Sequence, residues 1–377
     1  MSLGNRIAAE LRGDRTIWMI VAVLSLFSIL AVFSSSGWEA WRSRGGNTTG
    51  MIIGHIVKLA FGLFLVYLCH LIHYRRYQQF ARPMLLLTIP LLIFTLFFGT
   101  NINDANRWIS FAGISFQPSE MAKIALIIYV ARALTIKQDY INSLRQAFFP
   151  IIIPVVLVCG LIAPSNLSTA MILFATCVLL MFMGRVSGQY IIMMMVLGAM
   201  VFVILVGIGK VYPELDLVRV DTWERRVEIF LHDEDGGFQV QQAKIAIAKG
   251  GIFGNGPGNS MMRHYLPYCN ADFIYAIICE EYGLIGGTIV LALYVLLFLR
   301  NVRLVTNSPK AFGAFLAIGL SLMLTVQALA NMAVNLHLVP ATGLTLPLVS
   351  MGGTSVMFSC ISLGMILSVS KYIEGLE

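Results

Sequence analysis

The chain has 377 residues, of which 58% are hydrophobic and 12% charged, and its mean hydropathy is +0.81. A soluble domain carries about 25% charged residues, so this composition excludes a soluble globule and indicates a polytopic membrane protein. The net charge of +7 does not indicate nucleic-acid binding, because the basic residues are spread over short loops between apolar runs. The six cysteines give no disulfide framework, and we expect no cleavable signal.

The hydropathy pattern predicts an all-α integral membrane protein, a single domain over residues 1–377, because each span needs about 20 mostly apolar residues. Ten transmembrane helices are predicted, at residues 17–35, 51–72, 84–98, 118–134, 149–162, 167–183, 190–208, 272–299, 311–334 and 346–370.

The loops that follow even-numbered spans hold most of the arginine and lysine residues, which places both termini in the cytoplasm. The long segment between spans seven and eight, about residues 209–271, then lies outside. Asp221 opens a predicted amphipathic helix with Trp223 on its apolar face. That helix lies either on the membrane surface or against the protein's own spans. A second helix is predicted over 239–249, ending at Gly250 and Gly251.

Asp272 stands at the mouth of the eighth predicted span. A carboxylate at a membrane edge is costly to place, so we treat it as a functional candidate. The alternative is that Asp272 only caps the helix. Glu280 and Glu281 follow inside the same span, and we interpret them as a buried polar network rather than as a second catalytic group.

A glycine-rich turn precedes this acid, with Gly254, Gly256, Gly258, Asn259 and Ser260. Successive N–H groups in such a turn can hold phosphate oxygens. The alternative is a tight turn at a loop corner.

Charged residues also occur near the predicted second and fourth spans. Glu120 and Lys123 are one helical turn apart, so Lys123 either lines a polar cavity or forms a structural pair with Glu120. Arg107 and Trp108 make a cationic and aromatic site at the interface, or an ordinary membrane anchor. Lys58 could pair with one of the two glutamates of the eighth span.

The last span opens with Pro347, Ser350, Gly352 and Gly353. Proline and paired glycines predict irregular backbone at membrane depth, which either lines a cavity or only bends the helix for packing. No spacing of His, Cys or Asp indicates a structural metal site.

Taken together, these motifs resemble the SEDS family (shape, elongation, division and sporulation proteins), which comprises FtsW, RodA and their relatives. The matching motifs occur in the family's order: Asn106-Arg107-Trp108, Gln117-Pro118-Ser119-Glu120 with Lys123, Gly254-x-Gly256-x-Gly258-Asn259-Ser260, Leu266-Pro267, Asp272-Phe273-Ile274-Tyr275, Glu280-Glu281-x-Gly283, and 343–348 with Ser350 and Gly352-Gly353. The turn and the early motif 32–36 look more like the division branch than the elongation branch.

The resemblance implies a peptidoglycan glycosyltransferase of the bacterial plasma membrane, acting at the division septum. Its substrate would be lipid II, a disaccharide-pentapeptide on undecaprenyl diphosphate, and its catalytic residue Asp272. The implied partners are a class B penicillin-binding protein transpeptidase and other divisome proteins, with no nucleic acid. The motifs point to substrate-binding roles for Arg107, Trp108, Gln117, Ser119, Glu120, Lys123, Gly254, Gly256, Gly258, Asn259, Ser260, Pro347, Ser350, Gly352 and Gly353.

In such a reaction Asp272 would take the proton of the attacking hydroxyl. Arg107, Lys123 and the glycine-rich turn would stabilise the departing diphosphate. A divalent cation, Mg²⁺ or Mn²⁺, would be held partly by the diphosphate itself. The competing hypotheses are a lipid II flippase, a noncatalytic scaffold and an elongation-type paralogue of the RodA kind.

Overall fold

The structure is a computed structural model that describes residues 13–43, 48–102, 105–111, 114–141, 143–211, 218–232, 236–265, 269–306 and 310–374. The Leu266-Pro267 motif and parts of the predicted outer segment (212–217 and 233–235) lie outside the described residues. Twelve α-helices occur in the described ranges: α1 Arg15–Ser43, α2 Thr48–Leu71, α3 Tyr74–Phe98, α4 Pro118–Ile136, α5 Phe149–Ile162, α6 Leu167–Met183, α7 Gly188–Val211, α8 Val220–His232, α9 Gly237–Gly250, α10 Ile274–Thr306, α11 Ala311–Asn335 and α12 Gly353–Glu374.

Eight of the helical segments in the described ranges are long and apolar enough to cross a membrane, namely those that contain α1, α2, α3, α5, α7, α10, α11 and α12. The prediction of a polytopic helical membrane protein is therefore confirmed. α6 is apolar but has only 17 residues. α4 has 19 residues and carries Glu120, Lys123 and Arg132. The predicted total of ten spans remains a prediction.

Two of the predicted helix starts are wrong. α3 begins at Tyr74 rather than at residue 84 and contains Pro83 and Pro90. Membrane helices tolerate such prolines, because neighbouring groups satisfy the backbone carbonyls that the prolines leave open. The last helix begins at Gly353 rather than at residue 346, because the segment before it is irregular.

A small antiparallel sheet lies between α3 and α4, so the predicted all-α class omits one element. It consists of β1 Thr100–Ile102, β2 Ala105–Phe111 and β3 Ile114–Phe116, in the order β1-β2-β3. Ile109 pairs with Phe116 and Ser110 with Ser115. The segment is too short to stand out from a loop by composition, yet it places Arg107 and Trp108 on the central strand.

The centre of the bundle is formed by α4, α11 and α12. Residues 122–128 of α4 are each at most 3% exposed, as expected for a helix that is surrounded on all sides. α2 packs against α1 and α12, and α10 packs against α1, α9 and α11. α7 lies at the periphery, where Met194 is its buried residue.

Candidate active site

Asp272 lies in the turn just before α10, and neighbouring segments hold its backbone in place. Its carbonyl oxygen accepts hydrogen bonds from the side-chain amides of Asn331 (2.7 Å) and Asn335 (3.3 Å) of α11. The hydroxyl of Ser350 donates to the carbonyl of Ala271 at 2.6 Å. The position of the carboxylate is therefore set by α11 and by the irregular segment before α12.

The first turn of α10 is capped from another helix, not by Asp272. Asn335 accepts a hydrogen bond from the N–H of Ala276 at 3.2 Å. Within the described part of the chain, no hydrogen bond to the carboxylate of Asp272 is found. The capping alternative for Asp272 is therefore wrong, and its carboxylate is free to contact a ligand.

The electrostatic surroundings of Asp272 favour a base of raised pKa. Its side chain is partly buried, and this burial raises the pKa of the carboxyl above its ordinary value, against the opposing charges of Arg107 and Arg226. Burial and the like charges of Arg219 and Arg226 lower the pKa of Arg107 to about 10, while Asp272 acts in the other direction. Asp272, Arg107 and Arg226 thus lie within electrostatic range of one another.

A cavity of about 390 Å³ lies near Asp272: Leu344 in its wall follows Gly343, where a Cβ would lie 3.5 Å from the Asp272 carboxylate. We call it the arginine cavity, because Arg107, Arg219 and Arg226 all line it, together with Trp223 and the beginning of α6 at Asn166. Its other walls are the segment 339–344 and apolar side chains of α6, α8 and α11. A cavity with convergent cations beside a carboxylate of raised pKa is the arrangement expected of a binding or catalytic site.

The sequence alone did not single out Arg219, Arg226 or Trp223 as site residues. The amphipathic pattern places Trp223 on the apolar face of the helix and Arg226 among its polar residues. The structure supports packing of this helix, α8, on the protein's own spans, since Trp223 stacks on Phe202 of α7 with ring centroids 6.0 Å apart. The sequence signal that could have identified Arg226 is its position next to the apolar stripe of the helix. A polar side chain at that position lies at the edge of the contact with a neighbouring helix.

The glycine-rich turn of residues 250–260 is joined to α10, at the point where α10 is broken. Gly283 has φ 67° and ψ −167°, so α10 consists of two helical segments that meet there. Four backbone hydrogen bonds connect the turn to this break: Asn255 N–H to Glu280 O (3.0 Å), Gly256 N–H to Glu281 O (3.0 Å), Leu284 N–H to Gly251 O (2.9 Å) and Ile285 N–H to Ile252 O (3.3 Å). These bonds satisfy the helix ends that the break leaves open.

The carboxylates of Glu280 and Glu281 hold the same turn. Glu280 accepts hydrogen bonds from the Ser260 hydroxyl and from the N–H of Met261 at 3.0 Å. Glu281 accepts from the Ser34 hydroxyl and from the N–H of Ser260 at 3.3 Å. Both glutamates are at most 1% exposed, so the predicted buried polar network is confirmed.

This arrangement bears on the predicted phosphate contacts of the turn. The N–H groups of Gly254, Asn255, Gly256, Asn259 and Ser260 all donate to oxygens of the chain. As the structure stands, these donors are not free to hold a diphosphate. A contact of the turn with substrate remains a prediction, and its observed role is to join α9 to α10.

Lys123 and Glu120 form the predicted pair inside the bundle. Their charged groups are 2.9 Å apart, and Lys123 also donates to the side-chain oxygen of Gln327 at 2.9 Å. The amide nitrogen of Gln117 donates to the Ser119 hydroxyl at 2.9 Å. All these contacts are within the chain, which supports the structural alternative for Lys123.

Lys58 does not take the role suggested for it. Its side chain is exposed on α2, whereas Glu280 and Glu281 accept hydrogen bonds from Ser34 and from residues of the glycine-rich turn. The suggested pairing with these glutamates is therefore wrong, because α2 turns Lys58 away from the interior.

The irregular segment before α12 contacts the turn that contains Asp272. Pro347 accepts a hydrogen bond from the hydroxyl of Tyr294 at 2.5 Å. The hydroxyl of Ser350 accepts from the N–H of Leu346 at 2.8 Å while it donates to Ala271. A Cβ at Gly343 would lie 3.5 Å from the carboxylate of Asp272, at φ +66°. The predicted irregular backbone at Pro347 and Gly352 is confirmed, and Ser350 acts on the position of Asp272 through the carbonyl of Ala271.

Among the residues that the structure describes, no group of three or more His, Cys, Asp or Glu side chains could hold a metal ion. These residues thus offer no ligand set for the expected divalent cation. Its binding through substrate oxygens remains a prediction.

Comparisons with known proteins identify relatives over nearly the whole chain. The sequence profile of a family described as cell cycle proteins, FtsW, RodA and SpoVE, matches residues 14–375. The probable peptidoglycan glycosyltransferase FtsW of Geobacter sulfurreducens is 33% identical, over 100% of this chain and 100% of the relative. The FtsW of Bacillus subtilis is 32% identical, over 97% of this chain and 92% of the relative.

Solved structures show the same fold. The rod shape determining protein RodA of Thermus thermophilus superposes with a TM-score of 0.68 at 23% identity, over 95% of this chain and 96% of that one. A chain of a peptidoglycan synthase complex that coordinates polymerization and crosslinking superposes with a TM-score of 0.73 at 24% identity, over 96% and 98% of the two chains. At these identities the likeness establishes the fold alone.

Proposed function

Since the chain belongs to the FtsW, RodA and SpoVE family of cell cycle proteins, we propose that it is a peptidoglycan glycosyltransferase that polymerises lipid II during cell division. The observation that carries this proposal is the carboxylate of Asp272. It is partly buried, accepts no hydrogen bond from the described residues, and lies in electrostatic range of two arginines that line a cavity of about 390 Å³.

The reaction joins the 4-hydroxyl of one lipid-linked disaccharide to the anomeric carbon of another. The bond from that carbon to the diphosphate oxygen breaks, and the diphosphate leaves with the electron pair. Asp272 takes the proton of the attacking hydroxyl, and its raised pKa suits a general base near neutral pH. A single displacement inverts the configuration at the anomeric carbon.

The departing diphosphate gains negative charge, and cations placed beforehand stabilise it. Of the groups predicted for this task, Arg107 is the one whose position supports it, because it lines the cavity and interacts with Asp272. Lys123 is engaged by Glu120 and Gln327. If a divalent cation takes part, it would add positive charge at the diphosphate.

The membrane arrangement follows from the same proposal. Ten helices would span the bacterial plasma membrane, with α4 and α6 added to the eight clear spans, and both termini would be cytoplasmic. Asp272, the arginine cavity, α8 and α9 would then face outside, where lipid II is consumed. The basic residues at the opposite end of the bundle, including Arg75, Arg76, Arg300 and Arg303, support this orientation.

The likeness to a chain from a peptidoglycan synthase complex supports a transpeptidase partner. We propose a class B penicillin-binding protein in that role, with other division proteins at the septum. The FtsW names of the relatives support a division role over an elongation role.

The test is glycan polymerisation by purified protein and transpeptidase on lipid II. Asp272→Asn should fold normally and lower the rate by about 10²-fold to 10⁴-fold, the usual contribution of a general base. Glu228→Gln, which removes an exposed acid of α8, is the matched control and should polymerise normally.

Normal polymerisation by Asp272→Asn would refute the assignment of the base. Absence of polymerisation by the unmodified protein would refute the proposed activity and leave a scaffold or a flippase. An assay of lipid II flipping in liposomes with the same variant distinguishes the flippase hypothesis from the polymerase hypothesis. A flippase would retain transport without polymerising.

A further inference from the structure

The three arginines of the arginine cavity are an unusual concentration of like charge. Burial lowers the pKa of both Arg107 and Arg226; the like charges of Arg219 and Arg226 add to this effect at Arg107, and that of Arg219 adds to it at Arg226. The opposing charge that acts on this cluster is Asp272. Among the described residues, none of the three arginines forms an ion pair with an acid.

One of these groups also lacks a partner inside the protein. The Nε of Arg107 is buried and has no hydrogen-bond partner in the described part of the chain. A buried donor without a partner is costly, and clustered cations repel one another. Both costs disappear when an anion enters the cavity, so the site is built for a ligand of multiple negative charge.

The position of α8 is maintained by contacts outside the cavity. Lys210 of α7 pairs with Glu224 at 2.6 Å, and Phe230 lies against His337 with ring centroids 5.1 Å apart. Arg226 then lines the cavity while the next residue toward the N-terminus, Arg225, is exposed. Two adjacent arginines on one helix therefore have different surroundings.

We propose that the arginine cavity is the donor site, where Arg107, Arg219 and Arg226 hold the diphosphate of the lipid-linked strand that is being extended. This proposal rests on the proposed function and adds to it two residues of α8 and a distinction between the two substrates. The guanidinium fork suits diphosphate oxygens, because two N–H groups bind them side by side. Trp223 offers an aromatic face to the adjoining sugar.

The donor is assigned to this cavity by the chemistry of the reaction. In the donor, the diphosphate is bonded directly to the carbon that reacts. In the acceptor, two sugar rings separate the diphosphate from the 4-hydroxyl that Asp272 deprotonates. Leu344 in the cavity wall follows Gly343, where a Cβ would lie 3.5 Å from the Asp272 carboxylate. The arginines of this cavity therefore lie where the donor diphosphate must be, and too near the base for the acceptor diphosphate.

This assignment predicts an effect on strand length. After each transfer, the extended strand must be held at the donor site until the next lipid II arrives. Weaker binding there releases strands early, so the product becomes shorter. Weaker binding of the acceptor would instead slow each addition, and a saturating concentration of lipid II would restore the rate.

The first experiment measures binding without turnover. In the Asp272→Asn background, the probe is a short-prenyl disaccharide diphosphate whose terminal 4-hydroxyl has been removed. Arg226→Gln and Arg219→Gln should each weaken binding by about tenfold or more, since each removes a charge-assisted contact. Arg225→Gln is the matched control and should bind as tightly as the parent. Arg226→Lys should be intermediate, because it keeps the charge but loses the fork.

The second experiment measures strand length with Asp272 intact. Arg226→Gln should give strands several-fold shorter than Arg225→Gln at saturating lipid II. Equal probe affinity of the Arg226→Gln and Arg225→Gln variants would overturn the diphosphate site. Unchanged strand length, with the rate restored by more lipid II, would overturn the donor assignment. If the unmodified protein binds the probe through these arginines but does not polymerise, the proposed function fails and the diphosphate site stands.

Discussion

The break in α10 at Gly283 provides a stringent test of how the site is built. Gly283 adopts φ 67° and ψ −167°, a region that only glycine occupies readily. A Cβ at this position would overlap the carbonyl oxygen of Ile252 and lie 2.5 Å from the nitrogen of Gly254. Gly283→Ala therefore adds backbone strain and also forces the glycine-rich turn away from α10.

The expected cost can be worked out from these contacts. The strained backbone conformation costs about 1–3 kcal/mol. Each of the four backbone hydrogen bonds between the turn and the break contributes about 1 kcal/mol net. If the turn moves enough to break two of them, the total loss is about 3–5 kcal/mol. A loss of this size is a large share of the stability of an ordinary domain.

The assay is thermal unfolding in detergent, with polymerisation measured in parallel. Two alanine variants separate the contributions. Gly258 has φ +79°, and a Cβ added there would meet no atom within 4 Å, so Gly258→Ala adds backbone strain alone. Gly207→Ala lies in α7, also with nothing within 4 Å, and should be neutral or slightly stabilising. The melting temperature should fall in the order Gly207→Ala, Gly258→Ala, Gly283→Ala. If Gly283→Ala has the same melting temperature as Gly207→Ala, the contacts between the turn and the break in α10 do not contribute to stability.

Two further predictions concern charge. Because Asp272 acts as a base only when deprotonated, kcat/KM should fall as the pH drops through its raised pKa. Arg226→Gln removes one opposing charge, so the fall in kcat/KM at acid pH should begin at a higher pH than in the unmodified protein. A fall that begins at the same or a lower pH would contradict the electrostatic interaction between Arg226 and Asp272. Lys123→Met leaves Glu120 buried without its cation and should cost about 3–5 kcal/mol in unfolding measurements. The double variant Glu120→Gln/Lys123→Met should regain most of that loss, and an undiminished stability of the single variant would show that the pair is not structural.

Much of the fold could be predicted because its signals are local. A bilayer-spanning helix must satisfy its backbone internally and present apolar side chains, so it is recognisable from about 20 residues of hydropathy. α6 was predicted with its observed bounds. The pattern from Asp221 onward predicted α8, although Asp221 lies in the first turn of that helix and not at its cap. The errors occurred where local rules compete, as at Pro83 in α3 and at the irregular start of α12.

The candidate site was only partly predictable. Asp272 was identified because a carboxylate at a membrane edge is rare and expensive. The sequence does not identify Arg226, because an arginine that borders the apolar stripe of a helix can face either a cavity or solvent, and the sequence does not show what packs against it. The glycines of the turn are recognisable as special, and the sequence leaves open whether they bind a phosphate or form a tight turn. It does not show that their backbone partner is the broken helix.

From its sequence alone, this protein can be assigned as a multi-span membrane protein of the FtsW, RodA and SpoVE family. The sequence also identifies Asp272 as a candidate catalytic acid. Hydropathy and motif order carry that information along the chain. The tertiary structure alone decided which cations meet that acid, which donors are already engaged and which remain free. Those facts depend on distances between segments far apart in sequence, such as β2, α8 and the turn before α10, and no local pattern records them.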